Sequence, residues 1–182
     1  MSNTPPLQKK IKTDAEKDDI RRRWEERELD RDINSRLTIH PNADKSELLD
    51  NVRAAKSILK SFPNTQICIR EHIIKDGVKN PEDLIDGLLA DRKGIRVDRG
   101  VTSGFKSAIL LNCKVVVIDL DMHKPRYNRA KLAQKILWRQ DDFKRGIIES
   151  CYVVQNNKVV KISIDLNTDK KEIIKKINKL DL

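Results

Sequence analysis

The sequence predicts an α+β domain: an antiparallel-rich, twisted sheet of about five or six strands with helices packed on it, behind a charged helical N-terminal extension. Three observations predict it. Asp86-Gly87 sits between the apolar pairs Leu84-Ile85 and Leu88-Leu89, the signal of a two-residue hairpin whose central residues both take positive φ. The run at 114–120, KVVVIDL, is apolar almost throughout, as a strand buried on both faces requires. Around these, apolar residues recur at helical intervals, as in Leu48, Leu49, Val52, Ala55, Ile58 and Leu59.

Residues 1–38 form the extension and 39–182 the domain. The extension carries Pro5-Pro6 and then a dense mixture of both charges, with Ile20, Trp24 and Leu29 as its sizeable apolar groups. It cannot bury a core of its own, and residues 11–33 read as a solvated helix or linker laced with i,i+4 pairs, or else as a docking arm. The domain opens on a turn at 40–44. Asp44 followed by Glu47 has capping-box spacing, and starts a helix that runs to about Lys60. Phe62-Pro63-Asn64 ends that helix, and 66–74 is a strand. The hairpin follows, with Ile85 opposite Leu88, Leu84 opposite Leu89, Asp83 opposite Ala90 and Glu82 opposite Asp91. Side chains alternate along a strand, so Glu82, Asp91 and Lys93 share one face, and Asp83 and Arg92 the other.

Residues 94–100 are a basic, glycine-bounded loop with Arg96 and Arg99, and Thr102-Ser103 start the next helix. Free N–H groups there attract anions. The 114–120 strand ends in Asp119-Leu120-Asp121-Met122-His123. Helical segments cover 128–138 and 139–145, a second hairpin turns over Asn156-Asn157, and a lysine-rich helix spans 168–180.

Composition narrows the function. The net charge of +10 favours a polyanionic partner, nucleic acid foremost, through counterion release and long-range attraction. Aromatics, at 4%, are too few for a base-stacking platform. No apolar run approaches the roughly 20 residues that span a membrane. Cys68, Cys113 and Cys151 lie in apolar runs, which fits buried thiols in a reducing compartment, and no Cys/His cluster has zinc spacing.

Phosphodiester cleavage has two broad solutions, and this face suits both. A metal-independent ribonuclease uses the 2′-hydroxyl as nucleophile, and needs proton-transfer groups and cations about the phosphorane. Asp91, Lys93, Thr102, Ser103 and His123 are the catalytic candidates, with Arg92, Arg96, Arg99 and His72 binding substrate and no cofactor. A metal-dependent deoxyribonuclease of the restriction-endonuclease type instead holds Mg²⁺ on carboxylates of adjacent strands, here Glu82 or Asp83 with Asp91, and places a lysine two residues on.

The segments HPNADKSELLDNVRAAKSI, EHIIKDGVKNPEDLIDGLLADRKG, VTSGFKSAI, VVVIDLD and CYVVQNNKVVKI, within 40–162, together resemble the C-terminal tRNA-nuclease domains of contact-dependent growth inhibition toxins. Similar domains are attached to phage head-morphogenesis (minor head) proteins. The sharpest mark is the N-P-[DE]-x-L-I-[DN]-G hairpin followed by A-D-x-K. Many relatives follow the lysine with Thr-Pro or Ser-Pro, where this chain has Gly94-Ile95. The resemblance implies the barnase, EndoU and RelE-like ribonuclease superfamily, with helices packed on an antiparallel-rich sheet. It further implies tRNA as substrate, a cognate immunity protein as partner, and action in a cytoplasm, the chain's own or one entered as part of a larger carrier. It matches the hydroxyl-bearing helix start to Thr102 and Ser103 and the strand-end aspartates to Asp119 and Asp121. A non-catalytic, phage-associated nucleic-acid-binding module is the competing reading outside enzymology.

Overall fold

The structure, a computed structural model, describes residues 14–73, 80–120, 128–155, 157–165 and 168–180. In chain order the elements are α1 (Asp14–Arg36), β1 (Leu37–Ile39), α2 (Leu48–Ser61), β2 (Ile67–Ile69), β3 (Asp83–Ile85), β4 (Leu88–Gly94), α3 (Gly100–Leu110), β5 (Val115–Asp119), α4 (Arg129–Leu137), α5 (Gln140–Lys144), β6 (Ser150–Gln155), β7 (Lys158–Ile162) and α6 (Lys170–Ile177). The strands form one sheet of seven whose spatial order repeats the sequence order. The class is α+β, as the sequence predicts, with seven strands rather than five or six.

The sheet is mixed. β2–β3, β3–β4 and β6–β7 pair antiparallel, while β1–β2, β4–β5 and β5–β6 pair parallel. Parallel neighbours need crossover connections, and α3 and then the α4–α5 segment lie on the connections that link β4, β5 and β6. The hairpin has the expected register: Asp83 opposite Ala90, Leu84 opposite Leu89, Ile85 opposite Leu88. Asp86 and Gly87 take φ of 53° and 81°, as a turn matched to the strand twist requires. Asp86 Oδ1 also accepts from the Gln66 amide at 2.8 Å, which ties the bend to the start of β2.

Each face of the sheet carries its own core. On one, Val116 and Ile118 of β5 meet Val101, Phe105 and Ala108 of α3, Leu132 and Ile136 of α4, and Ile173 and Ile177 of α6. On the other, Ala90, Val115, Val117 and Tyr152 meet Ile58 and Leu59 of α2 and Ile33 of α1. Ile58 and Leu59 are fully buried, and each such side chain contributes about 1.5–3 kcal/mol. All five residues of β5 are buried, which explains its unbroken apolar sequence.

Three local expectations differ in detail. The charged N-terminal helix extends to Arg36, whose guanidinium donates to the carbonyls of Leu59 and Thr65, both at 3.0 Å, so its last turn is docked. Asp44 does not cap α2. Its Oδ1 is taken by the amide and hydroxyl of Ser46, at 2.8 and 2.6 Å, and the helix begins at Leu48. Of the expected 66–74 strand, the described residues are strand over Ile67–Ile69, and Ile74 lies outside the described residues.

Candidate functional site

Strand β4 decides which side chains meet. Leu89 belongs to the α3-side core and Ala90 to the α2-side core, so Asp91 and Lys93 face α3 while Arg92 faces α2. The contacts agree. Lys93 lies against Gly104 of α3, and Asp91 is hydrogen-bonded to the Ser107 side chain one turn further along. Asp91 is buried, at 6% exposure, whereas Lys93 is exposed.

Arg92, only 5% exposed, is held from three directions on the opposite face. Its Nη1 lies 3.0 Å from Asp119 Oδ2 at the end of β5, its Nη2 lies 2.9 Å from Glu47 Oε2 beside the start of α2, and its Nε donates to Asn51 Oδ1. Arg53 joins the same Asp119 oxygen at 2.6 Å. Asp119 is wholly buried, so these cations are what make its charge tolerable there.

The carboxyl groups nearby are held toward their neutral forms. Burial, then the Glu47 carboxylate, push Glu82 up to about 7 against the pull of Arg92, and Asp91 and Asp83 add to the rise. Burial pushes Asp83 up to about 7, again opposed by Arg92. Burial raises Asp91 too, opposed by the Ser107 hydrogen bond and by Lys93. Glu82 Oε2 and Asp83 Oδ1 are buried with no hydrogen-bond partner among the described residues. Asp91 is the common member of this group: it feels Lys93 on one side and contributes to the shift of Glu82 on the other. An acid with a midpoint near 7 both accepts and releases a proton at neutral pH, the property general acid–base chemistry needs.

The other sequence candidates scatter. Arg92, grouped with Lys93 as a phosphate ligand, is on the far face with its hydrogen bonds committed to protein. Thr102 and Ser103 fall inside the first turn of α3 rather than ahead of it. Ser103 Oγ donates to the Gly100 carbonyl at 2.8 Å, and the N-cap position belongs to Arg99, which makes no side-chain cap bond. Arg96 and Arg99 are exposed on the turn between β4 and α3. His72 is exposed and lies 3.6 Å from Asp44, beside the 40–44 turn. His123 and Asp121 lie outside the described residues. Cys113 and Cys151 are buried thiols, Cys68 is half-buried, and all three are free.

Sequence reasoning missed Glu47, Asn51, Gly104 and Ser107. Glu47 carried a signal that pointed elsewhere, to a capping box, whereas its carboxylate reaches Arg92 from 45 residues away. Gly104 and Ser107 act through the approach of α3 to β4, which no local pattern announces.

No family model and no curated protein matches the sequence. Among solved structures, the chain is similar to one described as "CdiA-CT/CdiI toxin and immunity complex from Burkholderia pseudomallei", at 14% identity and a TM-score of 0.43, over 70% of this chain and 94% of that one. A likeness of this size transfers no residue role. Among the described residues, no helix is long and apolar enough to cross a membrane.

Proposed function

We propose that the protein is a toxin-type ribonuclease that cleaves RNA phosphodiester bonds, tRNA foremost, at the face formed by Glu82, Asp91 and Lys93. The observation that carries this reading is the A-D-x-K end of β4. It sets an exposed ammonium beside a buried carboxyl, and that carboxyl is among the charges that push Glu82 up to about 7. The 2′-oxygen attacks phosphorus while its proton passes to ionised Glu82, the bond to the 5′-oxygen breaks as that oxygen takes a proton from water, leaving a 2′,3′-cyclic phosphate and a 5′-hydroxyl, and Lys93 offsets the charge that builds on the phosphorane oxygens. Asp91 aligns Lys93. The strongly basic chain draws the polyanion in. On this reading a cognate immunity protein covers the face, and the domain acts in a cytoplasm, reached in some cases as part of a larger carrier.

One observation favours a second reading. The unpartnered Oε2 of Glu82 belongs with Asp91, whose charge helps to raise Glu82, and a divalent cation bound between the two carboxyls would satisfy it. That is the metal-dependent, restriction-endonuclease-type solution acting on duplex DNA. Among the described residues no three His, Cys, Asp or Glu side chains already stand as a metal-binding group, so no catalytic step is assigned to a cation.

Inducible expression in a bacterium tests the proposal. The native chain is expected to arrest growth and fragment cellular RNA, and Lys93→Ala to do neither. Extracts from the arrested cells should cleave tRNA in EDTA. Cleavage only after Mg²⁺ or Mn²⁺ addition, with duplex DNA cut, selects the second reading. Harmless expression with intact nucleic acids overturns both.

A further inference from the structure

We propose that the groove between the β4–α3 turn and α4 is a subsite that binds one unstacked nucleobase of single-stranded RNA, with the adjoining phosphates on its cationic rim. This rests on the reading that RNA is the substrate. The groove encloses 560 Å³. Val97, Asp98 and Arg99 form one wall, and Lys131, Lys135 and Trp138 belong to the other. Its lining is mostly apolar, yet three of these six side chains are cationic and one is anionic, which suits a flat apolar ring carried on a phosphate chain.

Trp138 is the decisive residue. It closes α4, stands 61% exposed, and has the Lys135 ammonium 4.1 Å from the centre of its ring. An indole left in water beside a cation is a poor use of a large apolar side chain in a chain with two tryptophans. It is a good stacking surface for a base, because every base has a π face. Lys135 then sits where the phosphate next to a stacked base would pass. Asp98 adds an acceptor: its Oδ1 is buried with no partner among the described residues, and the amino and imino groups of bases are donors.

The subsite lies within reach of the proposed chemistry. Val97 is four residues beyond Lys93, so the two backbones are no more than about 14 Å apart. That is about four nucleotides of a strand stacked at ~3.4 Å each. The groove therefore holds a base a few nucleotides from the scissile phosphate.

The test uses full-length protein carrying Lys93→Ala, so that RNA is bound and not cut, and Trp24→Phe, so that Trp138 alone emits. A short single-stranded oligoribonucleotide is expected to quench Trp138 emission. Trp138→Ala should weaken its binding by roughly 5- to 150-fold, with Trp138→Phe retaining most of the affinity. Lys131→Ala should lower the slope of log affinity against log salt by about 1. Unquenched emission with equal binding by Trp138→Ala overturns the subsite, as does shielding of Trp138 by a protein partner but not by RNA. If native protein still cleaves RNA in that event, the catalytic face survives alone. Quenching by RNA in a protein whose native form never cleaves leaves the subsite standing without the nuclease.

Discussion

Lys93 of β4 lies against Gly104 of α3, where an added Cβ would stand 3.2 Å from the lysine Cβ and 3.0 Å from Ile118 Cδ1. The missing side chain lets the helix approach the strand and fixes the direction in which the lysine stem leaves it. Gly104→Ala should therefore reduce RNA cleavage by about tenfold or more, since small misplacements of a catalytic group are costly. An exposed helical Gly→Ala would gain up to about 1 kcal/mol, and the tight contacts at Gly104 should cancel that gain. Single-turnover rates beside a thermal melt check this; unchanged cleavage would show that the stem's position is immaterial.

Removing one partner of the network on the other face should unfold rather than disarm. Arg92 bridges β4, β5 and α2 through Asp119, Asn51 and Glu47. Arg92→Ala leaves Asp119 buried with less compensation, and should lower stability by about 3–5 kcal/mol in denaturant titration. Glu47→Gln, at a half-exposed pair, should cost about 1 kcal/mol or less.

Stability should fall as pH rises through the range from about 4 to 7. Glu82 and Asp83 titrate near 4.5 and 3.8 when unfolded and near 7 when folded, so the native state holds more protons across that interval. The extra stability is complete below the unfolded midpoints and gone above the folded ones, on the order of 3–4 kcal/mol for each group. Asp91, also raised, adds in the same direction. Melting curves of Glu82→Gln and Asp83→Asn should be flatter over the same range. If the cation reading holds, Mg²⁺ should raise the melting temperature above pH 7.

The Asp86-Gly87 turn should be sensitive in proportion to its geometry. Gly87, at φ 81°, has nothing within 4 Å of an added Cβ, so Gly87→Ala should cost about 1 kcal/mol from backbone conformation alone. Asp86→Ala loses the bond to the Gln66 amide as well, and should cost about 1–2 kcal/mol more. Equilibrium denaturation reads both.

The hairpin and β5 were legible because local chemistry fixes them: a two-residue bend sets every partner from Asp83 to Ala90, and an unbroken apolar run has to be central. Alternation then placed Arg92 opposite Asp91 and Lys93 correctly, yet could not say that helix residues had already claimed the guanidinium. β1 was not legible, because Leu37–Ile39 carries no strand signature and is a strand only through parallel pairing with β2, across a helix. The parallel order of β4, β5 and β6 likewise depends on crossover helices α3, α4 and α5 packing on one face of the sheet. Glu47 shows the general difficulty at the site, since one carboxylate satisfied a capping pattern in sequence and an arginine in space.

Cleavage of end-labelled tRNA by purified native protein and by Lys93→Ala, under single-turnover conditions at neutral pH, tests the central claim most directly. The native chain should give discrete fragments, and Lys93→Ala should slow their appearance by about 10²–10³-fold while melting within a few degrees of native. Equal rates from a folded Lys93→Ala protein would contradict the claim that the β4 end does the chemistry.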